Sequence, residues 1–279
     1  MSDTTNDREL FGNRRLGLGV DPRERLPKII PAISDEGVIV LPTDTIYGLS
    51  CRWDSVAARE RLQKLKGGER VAFFVSLVSD REMAYRYAET PSDECRELLD
   101  VAWPGPVTAI FRARAGAVPD FVGSDGTIAF RFPNSPFLQE LVRGVGVPVI
   151  STSANKTGEP HAESAEEAWS VFGEGVDLYV DGGPQEALPS TLVDVSGDKP
   201  RLLRVGIQAL RGLQVEGEPY RSRDPGDYVV PNSRRLYREH LQKPDGRRHP
   251  QGPDREGRAR GQGARAFGRH LGGLQVGGE

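Results

Sequence analysis

Two cysteines, Cys51 and Cys95, are all that 279 residues contain. They stand apart, with no His or Cys at ligand spacing, so a disulfide framework and a zinc site both lack the residues they need. Each is expected to be a small buried hydrophobe. Apolar runs are short, and none approaches the roughly 18 residues of a membrane-crossing helix. Residues 1–7 have neither the basic nor the apolar part of a signal peptide, so a cytoplasmic location without a membrane partner is expected. The net charge is only −3 and the pI is near 5.9, which excludes a surface built throughout for nucleic acid. A Walker A loop, paired histidines and a Ser-His-Asp set are also missing, so nucleophilic and zinc mechanisms find no residues to use. The GLG at 17–19 has no strand before it and no glycine-led helix after it, and is not a dinucleotide fingerprint.

Hydrophobic residues make up only 37% of the chain, while Gly 33 and Pro 21 are high, so part of it is expected not to pack. Residues 1–20 are polar and read as a flexible N-terminus. Residues 214–279 are rich in Arg, Gly and Pro and read as a disordered tail, apart from a helical turn over 233–241. The tail arginines are either simply solvated or make contact with RNA. A folded domain is expected over 21–213.

What is present centres on LPTDTIYGL at 41–49 and the residues before it. Val38, Ile39, Val40 and Leu41 form the unbroken apolar run of a strand covered on both faces, and Pro42 ends the ladder because it has no N–H to donate. Thr43, Asp44, Thr45 and Tyr47 then crowd a strand end, where open α/β sheets place ligands. An ordinary turn satisfying its own backbone is the other reading.

Around it, helices are expected over 21–36, over 54–66 with Asp54 or Ser55 as cap and Gly67 and Gly68 closing it, over 80–88, and over 92–103 capped by Ser92. Further helices are expected from Ser135 through Arg143 with Gly144 after it, and from Ser164, which forms a capping box with Glu167, to Phe172. A short last helix is expected at 207–213. Strands are expected over 71–78, 107–111, 127–132, 147–150, 176–180 and 190–195, the last paired in a hairpin with 201–206. In the strand 127–132, Thr127, Ala129 and Arg131 share a face. A lone buried arginine costs several kcal/mol, so Arg131 needs an anionic partner, which is either an internal carboxylate or a ligand. The strand 147–150 runs into STSAN at 151–155, a run of hydroxyls and an amide that offers donors to an anion without a charge of its own.

LPTDTIYGL at 41–49, LKG at 65–67, WPGPVT at 103–108, TIAFRFP at 127–133, STSAN at 151–155, Ser190-Thr191 and LRVG at 203–206 together resemble the YrdC-like family, within it the threonylcarbamoyl-AMP synthases, in order and in spacing. The resemblance implies an α/β fold, an open twisted mixed sheet with flanking helices around a concave cleft. It also implies a reaction in which L-threonine, bicarbonate and ATP give threonylcarbamoyl-AMP and pyrophosphate, for tRNA threonylcarbamoyladenosine modification with a downstream transferase complex. Carried over residue by residue, it assigns Thr43, Arg131, Ser151 and Ser190 to L-threonine. Lys66, Arg70, Thr127, Ser153, Asn155 and Arg204 go to ATP, with His161 at its edge. Lys66, Arg131 and Arg204 would carry catalysis by charge neutralisation and placement, with Mg2+ brought by ATP and no metal site of the protein's own. The chain departs from the family's Lys-x-Arg, having Gly68 after Lys66-Gly67 and an arginine two residues further on, at Arg70. It also has Phe73-Phe74 where the family has proline and leucine. Two other readings stay open: a non-catalytic YrdC-like protein that binds nucleotide or RNA, and a carbamoyl-transfer enzyme for another amine.

Overall fold

Val38, Ile39, Val40 and Leu41 have no exposed surface, as an unbroken apolar run covered on both faces of a sheet requires. The structure is a computed structural model and describes residues 11–67, 74–117 and 126–207. Along the chain its elements are β1 (Arg15–Gly17), α1 (Leu26–Ser34), β2 (Ile39–Leu41), β3 (Gly48–Arg52), α2 (Val56–Leu65), β4 (Val75–Leu77), α3 (Arg81–Tyr87) and α4 (Asp93–Ala102). Then follow β5 (Val107–Arg112), β6 (Thr127–Arg131), α5 (Pro136–Val145), β7 (Val149–Ser153), α6 (Ala165–Phe172), β8 (Leu178–Asp181), β9 (Thr191–Asp194) and β10 (Arg201–Arg204). The strands form one mixed sheet in the order β1-β8-β2-β3-β7-β4-β6-β5-β9-β10. β2 runs parallel to β8 and antiparallel to β3, so it is an interior strand of the sheet. The sheet is open and flanked by helices, as the resemblance implied.

Directly opposed residues in a ladder share a face of the sheet. Ser50 opposes Ser151, Leu77 opposes both Val149 and Arg131, and Thr108 opposes Arg131 and Leu192. One face therefore carries Ser50, Ser151, Ser153, Thr127, Arg131 and Thr108. The other carries Cys51, Ile150, Phe130, Ala109 and Val193, all buried, with Ile150, Phe130 and Val193 each contributing about 1.5–3 kcal/mol by leaving water.

The helices begin where hydroxyl and carboxylate caps allow. Ser55, Asp80, Ser92, Ser135 and Ser164 each accept a backbone N–H of the first turn. In α4, Cys95, Leu98, Leu99 and Ala102 turn inward as their spacing predicts. Glu167 of α6 accepts from Glu163 N at 2.8 Å, one residue before the position a capping box would use.

Several expectations are corrected. The start of the chain carries structure from Phe11 on: Phe11 is 1% exposed, packs its ring on Trp169 and Tyr179, and leads to β1, which pairs with β8. β3 was not expected, because Gly48-Leu49-Ser50-Cys51-Arg52 has no clean alternation; its place between β2 and β7 makes it a strand. Ser151, Thr152 and Ser153 do not follow a strand but belong to β7. α5 passes Gly144 and ends at Gly146, whose φ of 81° is left-handed. Gly144 instead lets Ile30 approach, since a Cβ there would lie 2.4 Å from Ile30 Cδ1. The expected tail, the helical turn at 233–241, the last helix beyond Ile207 and the first part of the strand 71–78 lie outside the described residues.

Candidate active site

The loop at 42–47 is closed by its own hydroxyls. Thr43 Oγ1 donates to the Ile46 carbonyl at 2.8 Å and accepts from Thr45 N at 3.2 Å. Arg131, at the end of β6, donates from Nη1 to Thr45 Oγ1 at 2.6 Å, and Thr45 Oγ1 lies 3.0 Å from Thr43 Oγ1. A guanidinium can only donate and a carbonyl only accept. The protons therefore run one way: Arg131 to Thr45, Thr45 to Thr43, Thr43 to Ile46. Arg131 is 5% exposed, and burial pushes its pKa below the ordinary value, with the Asp44 carboxylate opposing the shift. Asp44 Oδ1 stands 3.4 Å from Arg131 Nη2, while Oδ2 accepts from Asn134 N at 3.1 Å. Arg131 Nε and Asp44 Oδ1 are both buried and have no hydrogen-bond partner. The internal carboxylate is thus Arg131's ion partner, and it leaves part of the pair's hydrogen-bonding capacity unused.

A second cluster forms at the C-terminus of α2. Lys66 is 2% exposed, and its Nζ donates to Ser153 O at 2.9 Å, Asn155 O at 3.0 Å and Asn155 Oδ1 at 3.1 Å. Asn155 Oδ1 also accepts from Ser153 Oγ at 2.5 Å, and Asn155 Nδ2 donates to Glu159 O at 2.6 Å. Ala154 N donates to Tyr47 O at 3.0 Å, so the STSAN stretch joins Lys66 to the loop at 42–47.

A third group lies beside Arg131. Ser190 Oγ is 2.8 Å from Thr108 Oγ1, and Arg204 donates from Nη2 to Ser190 O at 2.9 Å and from Nε at 3.3 Å. Arg204 reaches this face because of a β-bulge. Arg201 opposes Asp194 and Leu202 opposes Val193, but Arg204 opposes Leu192. Leu203 is the extra residue; were it paired in the regular register, Arg204 would oppose Thr191 and point to the other face.

The remaining predicted residues are placed differently. Ser151 shares the polar face, its Oγ leaning over Gly48, where a Cβ would lie 2.4 Å away. Thr127 is on Arg131's face but at the opposite end of β6, opposing Arg112, about 13 Å along the strand. His161 follows the STSAN loop; neither ring nitrogen reaches hydrogen-bond geometry, although the Ala187 carbonyl is beside it. Burial holds its pKa below the ordinary value, against the pull of Ala187, Glu163 and Glu167. Arg70 lies outside the described residues. Sequence reasoning did not assign roles to Asp44, Thr45, Thr108 or Gln185, whose Nε2 donates to Thr43 O at 3.0 Å. Asp44 and Thr45 were visible in the strand-end cluster; Gln185 sits in an irregular loop with no signal. Among the described residues no three His, Cys, Asp or Glu side chains could hold a metal.

A buried arginine at the end of a strand and a lysine at a helix C-terminus wrapped by Ser153 and Asn155 are held against an open mixed sheet, the architecture of an α/β protein. A family model named for Sua5, YciO and YrdC, and described as "Telomere recombination", matches residues 31–206; the chain belongs to that family. It is 33% identical over 163 residues to the threonylcarbamoyl-AMP synthase of Klebsiella pneumoniae, covering 58% of this chain and 85% of that protein. Its fold is similar to that of E. coli YciO, with a TM-score of 0.63 at 24% identity over 72% of this chain and 98% of the other. It is similar also to P. abyssi Sua5 crystallised with L-threonine, with a TM-score of 0.62 at 24% identity over 69% of this chain. The likeness spans only 57% of that Sua5 chain. Among the described residues no helix is long and apolar enough to cross a membrane.

Proposed function

We propose that the chain is a threonylcarbamoyl-AMP synthase, a nucleotidyltransferase that forms threonylcarbamoyl-AMP and pyrophosphate from L-threonine, bicarbonate and ATP. The observation that carries this reading is Arg131, a buried cation whose Nε still lacks an acceptor. A ligand carboxylate supplies that acceptor, and an amino acid has one. Thr43, Ser151 and Ser190 would line the amino-acid site with Arg131. Lys66, Ser153, Asn155 and Arg204 would hold ATP, with Arg70, Thr127 and His161 further along the nucleotide.

Attack of the threonine carbamate on the α-phosphate needs charge neutralisation and in-line placement more than a strong base. Lys66 and Arg204 would supply positive charge beside the phosphates. Mg2+ carried by the ATP phosphates would add charge neutralisation on the leaving pyrophosphate. The product would pass to a tRNA threonylcarbamoyl transferase complex in the cytoplasm, and the arginines of the tail would supply any RNA contact.

The test is pyrophosphate release from ATP with bicarbonate and magnesium, with and without L-threonine, for the wild type and Arg131→Ala. Threonine-dependent release that Arg131→Ala abolishes supports the synthase. ATP binding without release leaves a nucleotide-binding protein instead.

A further inference from the structure

One ion pair carries two orphan atoms. Arg131 Nε is a buried donor without an acceptor, and Asp44 Oδ1 is a buried acceptor without a donor. Their side chains are only 6% and 10% exposed, so bulk water has little access to them. Leaving such groups unpaired is costly, more so when they are charged. The rest of Asp44 is fixed: Oδ2 takes the Asn134 amide, and the short 42–47 loop is held by Thr43 and Thr45. The carboxylate therefore cannot turn away, and the Oδ1 to Nη2 separation of 3.4 Å is longer than a charge-assisted hydrogen bond of about 2.7–2.9 Å.

A ligand that completes both atoms must bring one acceptor and one donor. Charge narrows the choice further. The Asp44–Arg131 pair is neutral as a unit, and a ligand with net charge would leave an uncompensated charge in a buried place. A zwitterion adds none. An α-amino acid is such a molecule, with its carboxylate and ammonium on one carbon.

We propose that Asp44 is a binding residue for the α-amino group of the amino-acid substrate, working as a pair with Arg131 on the carboxylate. The proposal rests on the amino-acid half of the synthase reading and deepens it: selectivity begins with the zwitterion. Thr45, bonded to Arg131, ties the guanidinium to the same loop that carries Asp44.

The experiment is calorimetric binding to the full chain of L-threonine and of 2,3-dihydroxybutanoate, in which a hydroxyl replaces the amine. Wild type is expected to prefer L-threonine by at least about a hundredfold, the worth of a buried charge-assisted contact. Asp44→Asn keeps an acceptor for the Asn134 amide and loses the charge; it is expected to bring the ratio of the two affinities below about tenfold. A purely structural Asp44 would weaken both ligands alike and leave the ratio unchanged, which overturns the proposal. Equal binding of the two ligands to the wild type overturns it too, and that comparison needs no variant should Asp44→Asn fold poorly. Pyrophosphate release by the wild type is read separately. Its absence with the binding ratio intact removes the synthase reading and leaves the role of Asp44 standing.

Discussion

Replacing Lys66 with methionine removes a buried ammonium and keeps the apolar stem. The three oxygens that Nζ holds do not suffer equally. Ser153 O also accepts from Asn155 N at 2.9 Å, and Asn155 Oδ1 also accepts from Ser153 Oγ at 2.5 Å. The Asn155 carbonyl is the one left to find a new donor. Its unmet demand costs about 1–3 kcal/mol, and the relief of not burying a charge offsets part of this. A net loss of about 2 kcal/mol corresponds to a fall in Tm of about 4–8 °C for a domain of this size. The second consequence is on function: if Lys66 neutralises the triphosphate, Lys66→Met lowers threonine-dependent pyrophosphate release at least about a hundredfold, while calorimetric L-threonine affinity stays within about threefold. Thermal melts and the two assays read these together. An unchanged or raised Tm would show that the Ser153–Asn155 loop does not depend on Lys66. Unchanged turnover would refute the charge argument.

Other perturbations test other parts of the account. Deleting Leu203 removes the bulge but leaves Arg204 opposite Leu192 on the same face, so ATP-dependent turnover should stay within about tenfold of the wild type, whereas Arg204→Ala should lower it at least about a hundredfold. Gly48→Ala places a methyl 2.4 Å from Ser151 Oγ and 3.2 Å from Thr152 O; overpacking should cost about 1–3 kcal/mol in denaturant unfolding and raise KM for L-threonine. His161 has a folded pKa below its unfolded value, so the unfolded chain binds the proton more tightly. Stability from this group is present above about pH 6.5 and is lost as pH falls below it. His161→Phe should therefore lose less Tm than the wild type between pH 7 and 5, and an equal loss would contradict the assignment.

The parts of the fold legible in the sequence are those where one element's own pattern suffices. The run at 38–41 is apolar without a break, and the inward face of α4 repeats at helical spacing. β3 lacks a clean alternation, and the end of β7 is a run of hydroxyls that reads as loop. Ser50, Ser151 and Ser153 stay in the ladder because they share the polar face, while Cys51 and Thr152 pack the other side. Nothing local to Ser50 reveals that; only the pairing of the strands does. β1 is three residues long and exists through its partner β8. In the site, Arg131 and Lys66 were recognisable from the motifs around them. The Thr45 link, the Asp44 pairing and the bulge that aims Arg204 depend on how separate segments meet, and the loop residue Gln185 gave no warning of its bond to Thr43.

The measurement that tests the central claim most directly is to incubate the protein with ATP, magnesium, L-threonine and isotopically labelled bicarbonate and to identify the adenylate by mass spectrometry. The account predicts an AMP adduct that carries one threonine and one labelled carbon, formed in step with pyrophosphate and missing with Arg131→Ala. ATP consumption without label in the adenylate, or an adduct formed equally well with another amine, would contradict it.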